Sequence, residues 1–158
     1  MTTQTIFQSL LLLHLLGVIA FAGTSLVDYV TMRQFWQQYG QNRTRAIAVL
    51  QAMAKFPLLM RVGIIVIILG GVGMMGLTHG VFGEQVWFRI KFGLFVILIL
   101  NYLLLGRRQV TALRQAVEKN ADLVAGQLKK RKNNLDIFQL SQLLLFFIII
   151  LLSVFKFN

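Results

Sequence analysis

Cysteine is absent from the chain, which excludes disulfides, thiolate metal sites and thiol chemistry together. Acidic residues are scarce, 5 Asp and Glu against 16 Lys and Arg, and they form no paired-carboxylate, HExxH or Ser/His/Asp pattern for hydrolysis. Proline occurs once and histidine twice. What abounds is hydrocarbon. Hydrophobic residues make up 57% of 158 and mean hydropathy is +0.72, far more apolar surface than a soluble domain of this size hides in its core. The chain therefore reads as an integral membrane protein.

Four runs reach the roughly 20 apolar residues that span about 30 Å of hydrocarbon: residues 6–30, 56–77, 86–105 and 137–155. They are continuous, not alternating, so helices are expected and barrel strands are not. The expected fold is an all-α membrane four-helix bundle forming one domain over residues 1–158. Residues 78–85 are too few to separate the second and third helices, which must be antiparallel neighbours. The first run resembles a secretory signal, with Ala20-Phe21-Ala22 before Gly23. It has no lysine or arginine in residues 1–5, however, and is expected to stay as the first helix.

Basic residues orient the bundle. Arg33, Arg43, Arg45, Lys55 and Arg61 flank the first connection, and Arg107, Arg108, Arg114, Lys119 and the run Lys129, Lys130, Arg131, Lys132 lie in the third. The other side holds Arg89, Lys91 and Lys156. The positive-inside rule makes the richer side cytoplasmic, places both termini outside, and suggests a multi-pass protein of a bacterial cytoplasmic (inner) membrane. The net charge of +11 is then mostly topology. It points to anionic lipid headgroups, worth about 1 kcal/mol per basic residue near the surface, and not to nucleic acid. A second copy of the chain or a redox partner is left open.

The cytoplasmic connections carry helical periodicity. Over residues 107–131, Val110, Leu113, Val117, Val124 and Leu128 fall along one face opposite the charges. This gives an amphipathic helix that lies in the interface or prolongs the third span. Residues 44–55 are similar, with Ile47, Leu50 and Ala54 on one side.

Polar residues at membrane depth are the candidate chemistry. His14 lies roughly 10 Å below the outer boundary and Lys91 roughly 7 Å below it, counting about 1.5 Å per residue. His79 closes the second helix on that side, near Glu84, Trp87 and Arg89. His14, His79, Lys91 and Arg89 form the candidate cofactor cluster, with His14 as the metal ligand, because an ionisable ring in hydrocarbon calls for a function or a partner. Each has a plainer alternative. His14 can bond across to a serine, a backbone carbonyl or water; His79 can be a solvated turn residue; Lys91 and Arg89 can extend to headgroups beside Trp87.

Helical phase links these residues to the opposite end. His14, Gly17, Phe21 and Asp28 share one stripe of the first helix, and Arg61, Ile65, Ile68, Val72, Met75 and His79 share one of the second. Asp28 and Arg61 are placed to pair, either as structural glue or as part of a proton or anion path. The glycines of the second helix, including the Gly76 to Gly80 spacing, suit close helix packing or dimerisation. Met74, Met75 and His79 offer a soft-metal set, with core packing as the alternative.

The run Leu13-His14-Leu15-Leu16-Gly17-Val18-Ile19-Ala20-Phe21-Ala22-Gly23 resembles the opening helix of the HemJ-type protoporphyrinogen IX oxidase and CopD copper-resistance group. Trp87-Phe88-Arg89-Ile90-Lys91-Phe92 with the later Asn101-Tyr102 resembles the third-helix pattern of the HemJ-type proteins. The resemblance covers the first three spans and hardly the fourth. It implies haem b or a porphyrin held in the bundle, with His14 as axial ligand and Lys91 or Arg89 pairing a propionate. Arg89 stands where that motif has histidine, and no histidine follows Tyr102. Bis-histidine ligation and oxidase activity are therefore not implied.

The expected function is membrane redox chemistry with haem or a porphyrin in the outer half of the bundle. A small proton, ion or solute transporter using His14, Asp28 and Arg61 is the alternative, and a structural accessory subunit the third.

Overall fold

In a computed structural model, residues 2–79, 81–118 and 125–155 are described. The described chain is helical throughout and contains no strand. α1 runs Thr3–Tyr39, α2 Arg43–Ala52, α3 Phe56–Leu77, α4 Val86–Asn101, α5 Arg107–Glu118 and α6 Ala125–Val154. Four segments are long and apolar enough to cross a bilayer: Thr3–Tyr39, Arg43–Leu77, Val86–Leu104 and Lys129–Val154. Large apolar residues such as Ile19, Leu69, Val72, Phe92 and Phe147 stay exposed on them. In lipid this costs nothing, because acyl chains are as apolar as the side chains.

The helices are longer than the membrane. The 37 residues of α1 reach roughly 55 Å, against about 30 Å of hydrocarbon. One end of the bundle therefore stands clear of the bilayer, and the connections there are helical extensions instead of loops. Asn42 caps α2 by accepting from the Arg45 amide at 3.1 Å. One 3-10 turn, Met53–Lys55, carries α2 into α3, whose first turn holds Pro57 where no backbone donor is lost. A π-helical turn, Tyr102–Gly106, carries α4 into α5, so the amphipathic segment prolongs the third span.

α1 and α3 make the most extensive pairing in the bundle, and α4 packs chiefly on α6. Glycine makes the first pairing possible. A Cβ added to Gly17 would lie 2.8 Å from the Ile67 amide nitrogen, one on Gly63 would lie 2.9 Å from the Phe21 amide nitrogen, and one on Gly70 would lie 2.8 Å from the His14 Cβ. The seam is thus backbone against backbone. Phe21 rests on Gly63 with no exposed surface and meets Phe146 of α6 and Tyr102 edge-on, at 4.8 Å and 5.9 Å between ring centres. These rings and Met60, Ile64, Ile67, Leu98 and Phe138 form the intramembrane core.

A second core fills the basic end. Met32 and Phe35 of α1, Ala46 and Leu50 of α2, Met53, Leu113 and Val117 of α5, and Leu135 of α6 are all buried there. Leu113 and Val117 do face inward as their periodicity indicates. Val124, Lys119, Gly80 and Lys156 lie outside the described residues, as does the side chain of Leu128.

Two expectations about helix faces are corrected. The stripe Arg61, Ile65, Ile68, Val72, Met75 and His79 is exposed along its whole length, and α3 instead turns Met60, Gly63, Ile64, Ile67 and Gly70 inward. Close approach on the glycine side outweighs any polar pairing on the other. In the first connection Met53 is buried and Ala54 is exposed, because the 3-10 turn advances about 120° per residue and shifts the phase expected of an α-helix.

Filling the seam should be costly. Gly63→Val is expected to lower stability by about 1–3 kcal/mol in denaturant titrations of the protein in micelles. Gly23→Ala, at a position with open space around it, should produce no loss.

Candidate functional site

His14 is half-buried and turned into the α1–α3 seam. Its Nδ1 hydrogen-bonds the Ile67 carbonyl oxygen at 2.8 Å, and its ring lies beside Gly71, 3.6 Å from where a Cβ would stand. An acceptor at Nδ1 selects the tautomer with the proton there and leaves the Nε2 lone pair available. Lys91 on α4 is half-buried and near enough to act electrostatically on the ring. The structure therefore leaves His14 within electrostatic reach of Lys91. Arg89 and His79 do not join them. Arg89 is exposed and donates Nε to the Gly83 carbonyl at 2.9 Å, and His79 is exposed in the turn after α3 with φ of 50°. Met75 also points outward. Among the described residues no group of three or more His, Asp or Glu side chains could hold a metal ion.

A cavity of about 260 Å³ opens at the other end of the spans, where the two cores meet. Asp28 and His14 are 14 positions apart on α1, so the cavity and the histidine are separated by roughly 21 Å along the helix. Its walls come from α1 (Ser25, Asp28), α3 (Met60, Arg61), the π-helical turn (Tyr102, Gly106), α5 (Thr111, Arg114) and α6 (Phe138, Gln139, Gln142).

The polar wall is a partly completed network. Gln139 donates Nε2 to an Asp28 carboxylate oxygen at 2.9 Å. Asn101 donates Nδ2 to Ser141 Oγ at 3.1 Å and to Gln142 Oε1 at 3.2 Å. The Tyr102 hydroxyl donates to the Pro57 carbonyl at 3.2 Å, and Arg114 donates Nη2 to the Leu50 carbonyl at 3.2 Å while acting electrostatically on Asp28. Three buried atoms of this wall have no partner: Gln139 Oε1, Gln142 Nε2 and Arg114 Nε. Both glutamines are only 3% exposed. Buried polar atoms are normally satisfied, and each orphan costs about 1–3 kcal/mol. Such a cluster beside a cavity marks a place for water or a ligand.

The cavity holds the Asp28 and Arg61 expected at this end, but their relation differs. Among the described residues the Asp28 carboxylate is hydrogen-bonded to Gln139 and not to Arg61, because Arg61 lies on the outward-turned side of α3. Sequence reasoning missed Gln139 and Gln142 and gave Asn101 and Arg114 no role at this site. A signal existed for the first two: amides three residues apart at the start of an apolar run are expensive in lipid unless they face a cavity or each other's neighbours. Arg114 was hidden among other basic residues of a connection.

A double-mutant cycle separates the two pairings. Asp28→Ala with Gln139→Ala should show a coupling of about 0.5–3 kcal/mol in unfolding measurements, whereas Asp28→Ala with Arg61→Ala should be additive within about 0.5 kcal/mol.

Residues 8–157 match the family described as "Predicted integral membrane protein (DUF2269)". No curated protein and no solved structure matches the chain. With nearly its whole length matched and four helices long and apolar enough to cross a membrane, the chain belongs to this family of integral membrane proteins.

Proposed function

We propose that the protein binds a small hydrogen-bonding solute in the cavity between Asp28, Arg114 and Gln142, and acts in its passage across the membrane. The observation that carries this reading is a cavity at the end of the spans lined by Asp28, Arg114, Gln139 and Gln142, with buried, unpartnered atoms of the last three packed behind its wall. A scaffold at this position would gain by closing those groups on one another or by replacing them with apolar side chains. Here they are held open by neighbours that use only half of each amide: Asp28 takes the Gln139 donor and Asn101 takes the Gln142 acceptor. On the charge bias of the connections, the cavity lies in the cytoplasmic half with both termini outside.

The π-helical turn at the wall supports movement. A π-turn breaks the regular hydrogen-bond ladder and is frequent at functional sites, and this one carries both Tyr102 and Gly106. Gly106 lies directly under the Phe138 ring, 2.5 Å from ring carbon to a built Cβ.

A haem or porphyrin in the opposite half is the second reading, favoured by one feature. His14 is fixed through Nδ1 with Nε2 available, the arrangement in which a backbone carbonyl orients a metal-ligating histidine. His14 would hold the iron through Nε2 and Lys91 would be the nearby cation for a propionate; His79, exposed in the turn after α3, would not join them. Bound there, the iron would supply the electron chemistry, and the kinship to HemJ-type and CopD proteins implied by the first and third helices would acquire a common cofactor. Without haem, the same hydrogen bond is seam glue.

Two measurements divide these readings. In proteoliposomes, entry of at least one of a panel of small neutral, anionic and cationic solutes should exceed that into empty liposomes by tenfold or more, and Asp28→Asn and Gln139→Leu should remove the excess. No accelerated entry of any solute would overturn the transport role. Purified protein loaded with haem should show a Soret band that His14→Ala abolishes if the second reading holds, and no such band overturns it.

A further inference from the structure

We infer that the outward face of α6 at the basic end binds one anionic phospholipid of the surrounding bilayer, with the headgroup on Lys129, Lys130, Asn133 and Asn134 and an acyl chain along Ile137, Leu140 and Leu144. The four polar residues and Ile137 line a shallow, open depression. Their spacing puts them on one face of the helix, and all five are exposed. Two ammonium groups and two side-chain amides are thus presented outward together. Each is a hydrogen-bond donor, and a phosphodiester offers acceptors only.

Depth identifies the source of that phosphate. Below the depression the same face continues through Leu140, Leu144 and Phe147, all exposed, and Ile137 between the two parts is 66% exposed. These residues belong to the segment Lys129–Val154, which is long and apolar enough to cross a membrane. At about 1.5 Å per residue, Asn134 and Asn133 stand roughly 4–6 Å outward of Ile137 and Lys130 roughly 10 Å. The headgroup layer adds about 5–8 Å to each side of the hydrocarbon. The amides therefore fall at the level of phosphate and glycerol, with the lysines at its outer edge. A soluble acidic partner would cover the polar half and leave the apolar half unmatched, whereas a phospholipid matches both.

Charge selects the headgroup. Over residues 129–137 four basic side chains stand against the single carboxylate of Asp136, so a net anionic lipid is favoured over a zwitterionic one. The four bases are not equivalent, however. Arg131 is half-buried on the stripe of buried Leu135, Phe138 and Gln142, and Lys132 lies about 200° around the helix from Lys130. Diffuse attraction to a charged membrane would count every exposed base alike, at about fivefold each. A defined site counts the lysines on its own face and also the neutral amides. The depression lies on the far side of α6 from Gln139 and Gln142, so it is separate from the cavity and independent of the function proposed there.

Native mass spectrometry of the full chain in detergent, titrated with dioleoyl phosphatidylglycerol or dioleoyl phosphatidylcholine, tests the site by counting lipids bound per chain. Phosphatidylglycerol should bind saturably and about fivefold or more tightly than phosphatidylcholine. Lys130→Gln should weaken it about fivefold, while Lys132→Gln, which removes the same charge from another face, should change it less than about twofold. Asn133→Leu leaves the charge untouched and should still weaken binding about threefold. All three side chains are exposed, so the melting temperature of each variant should match that of the parent. Glycerol 3-phosphate at the lipid's own concentration should not displace it. Equal losses from Lys130→Gln and Lys132→Gln, with Asn133→Leu inert, would reduce the effect to diffuse attraction and overturn the site. Phosphatidylcholine binding as tightly as phosphatidylglycerol, or no saturable binding of either, would overturn it too. Displacement by glycerol 3-phosphate on equal terms would make the ligand a free phosphate and overturn the bilayer as its source.

Discussion

The backbone contact between α1 and α3 at Gly17, Gly63 and Gly70 sets the phase of everything else. Within lipid, two helices gain little from hiding apolar surface from each other, so association depends on close packing and on polar groups that would otherwise be stranded. Glycine provides the packing and His14 provides the polar contact, through the Ile67 carbonyl in the same seam. Once Gly17 faces Gly63, the 3.6-residue period sends Phe21, Ser25 and Asp28 to the inside of the bundle one after another. The position of a carboxylate at one end is therefore a consequence of glycines near the other.

The bundle is stratified along its length. An aromatic and aliphatic layer centred on Phe21 occupies the membrane, a second apolar layer centred on Phe35 and Leu113 holds the projecting helices together, and the amides, carboxylate and guanidinium groups lie between them. Apolar packing above and below keeps the polar layer in place without asking it to be complete. The π-helical turn falls in the same layer, where Tyr102 bonds the Pro57 carbonyl and Gly106 lies against the Phe138 ring. Cavity, unpartnered amides and irregular helix thus coincide at one level.

His14 stands apart from this level, and its role is decided by geometry the sequence does not contain. An imidazole in an apolar run is equally expected of a ligand and of a bond across a helix pair. The structure assigns it a carbonyl partner. The same hydrogen bond leaves its other nitrogen oriented as a ligand would be, so one contact serves both descriptions, and the presence or absence of haem distinguishes them.

Hydropathy and run length were enough to determine a four-span, all-helical membrane protein, because the thickness of hydrocarbon and the cost of unbonded backbone admit few other solutions. The inward face of α1 was also legible, since its polar and small residues fall on one helical stripe. The inward face of α3 was not: two stripes were available, and only contact with α1 chose the glycine side. Likewise no local pattern indicated that Gln139 would bond Asp28, 111 residues away, or that Arg114 from a connection would close the cavity. Composition and periodicity are properties of single helices, whereas partnership among polar groups depends on how helices are rotated against one another, and that rotation was fixed by packing at the glycine seam.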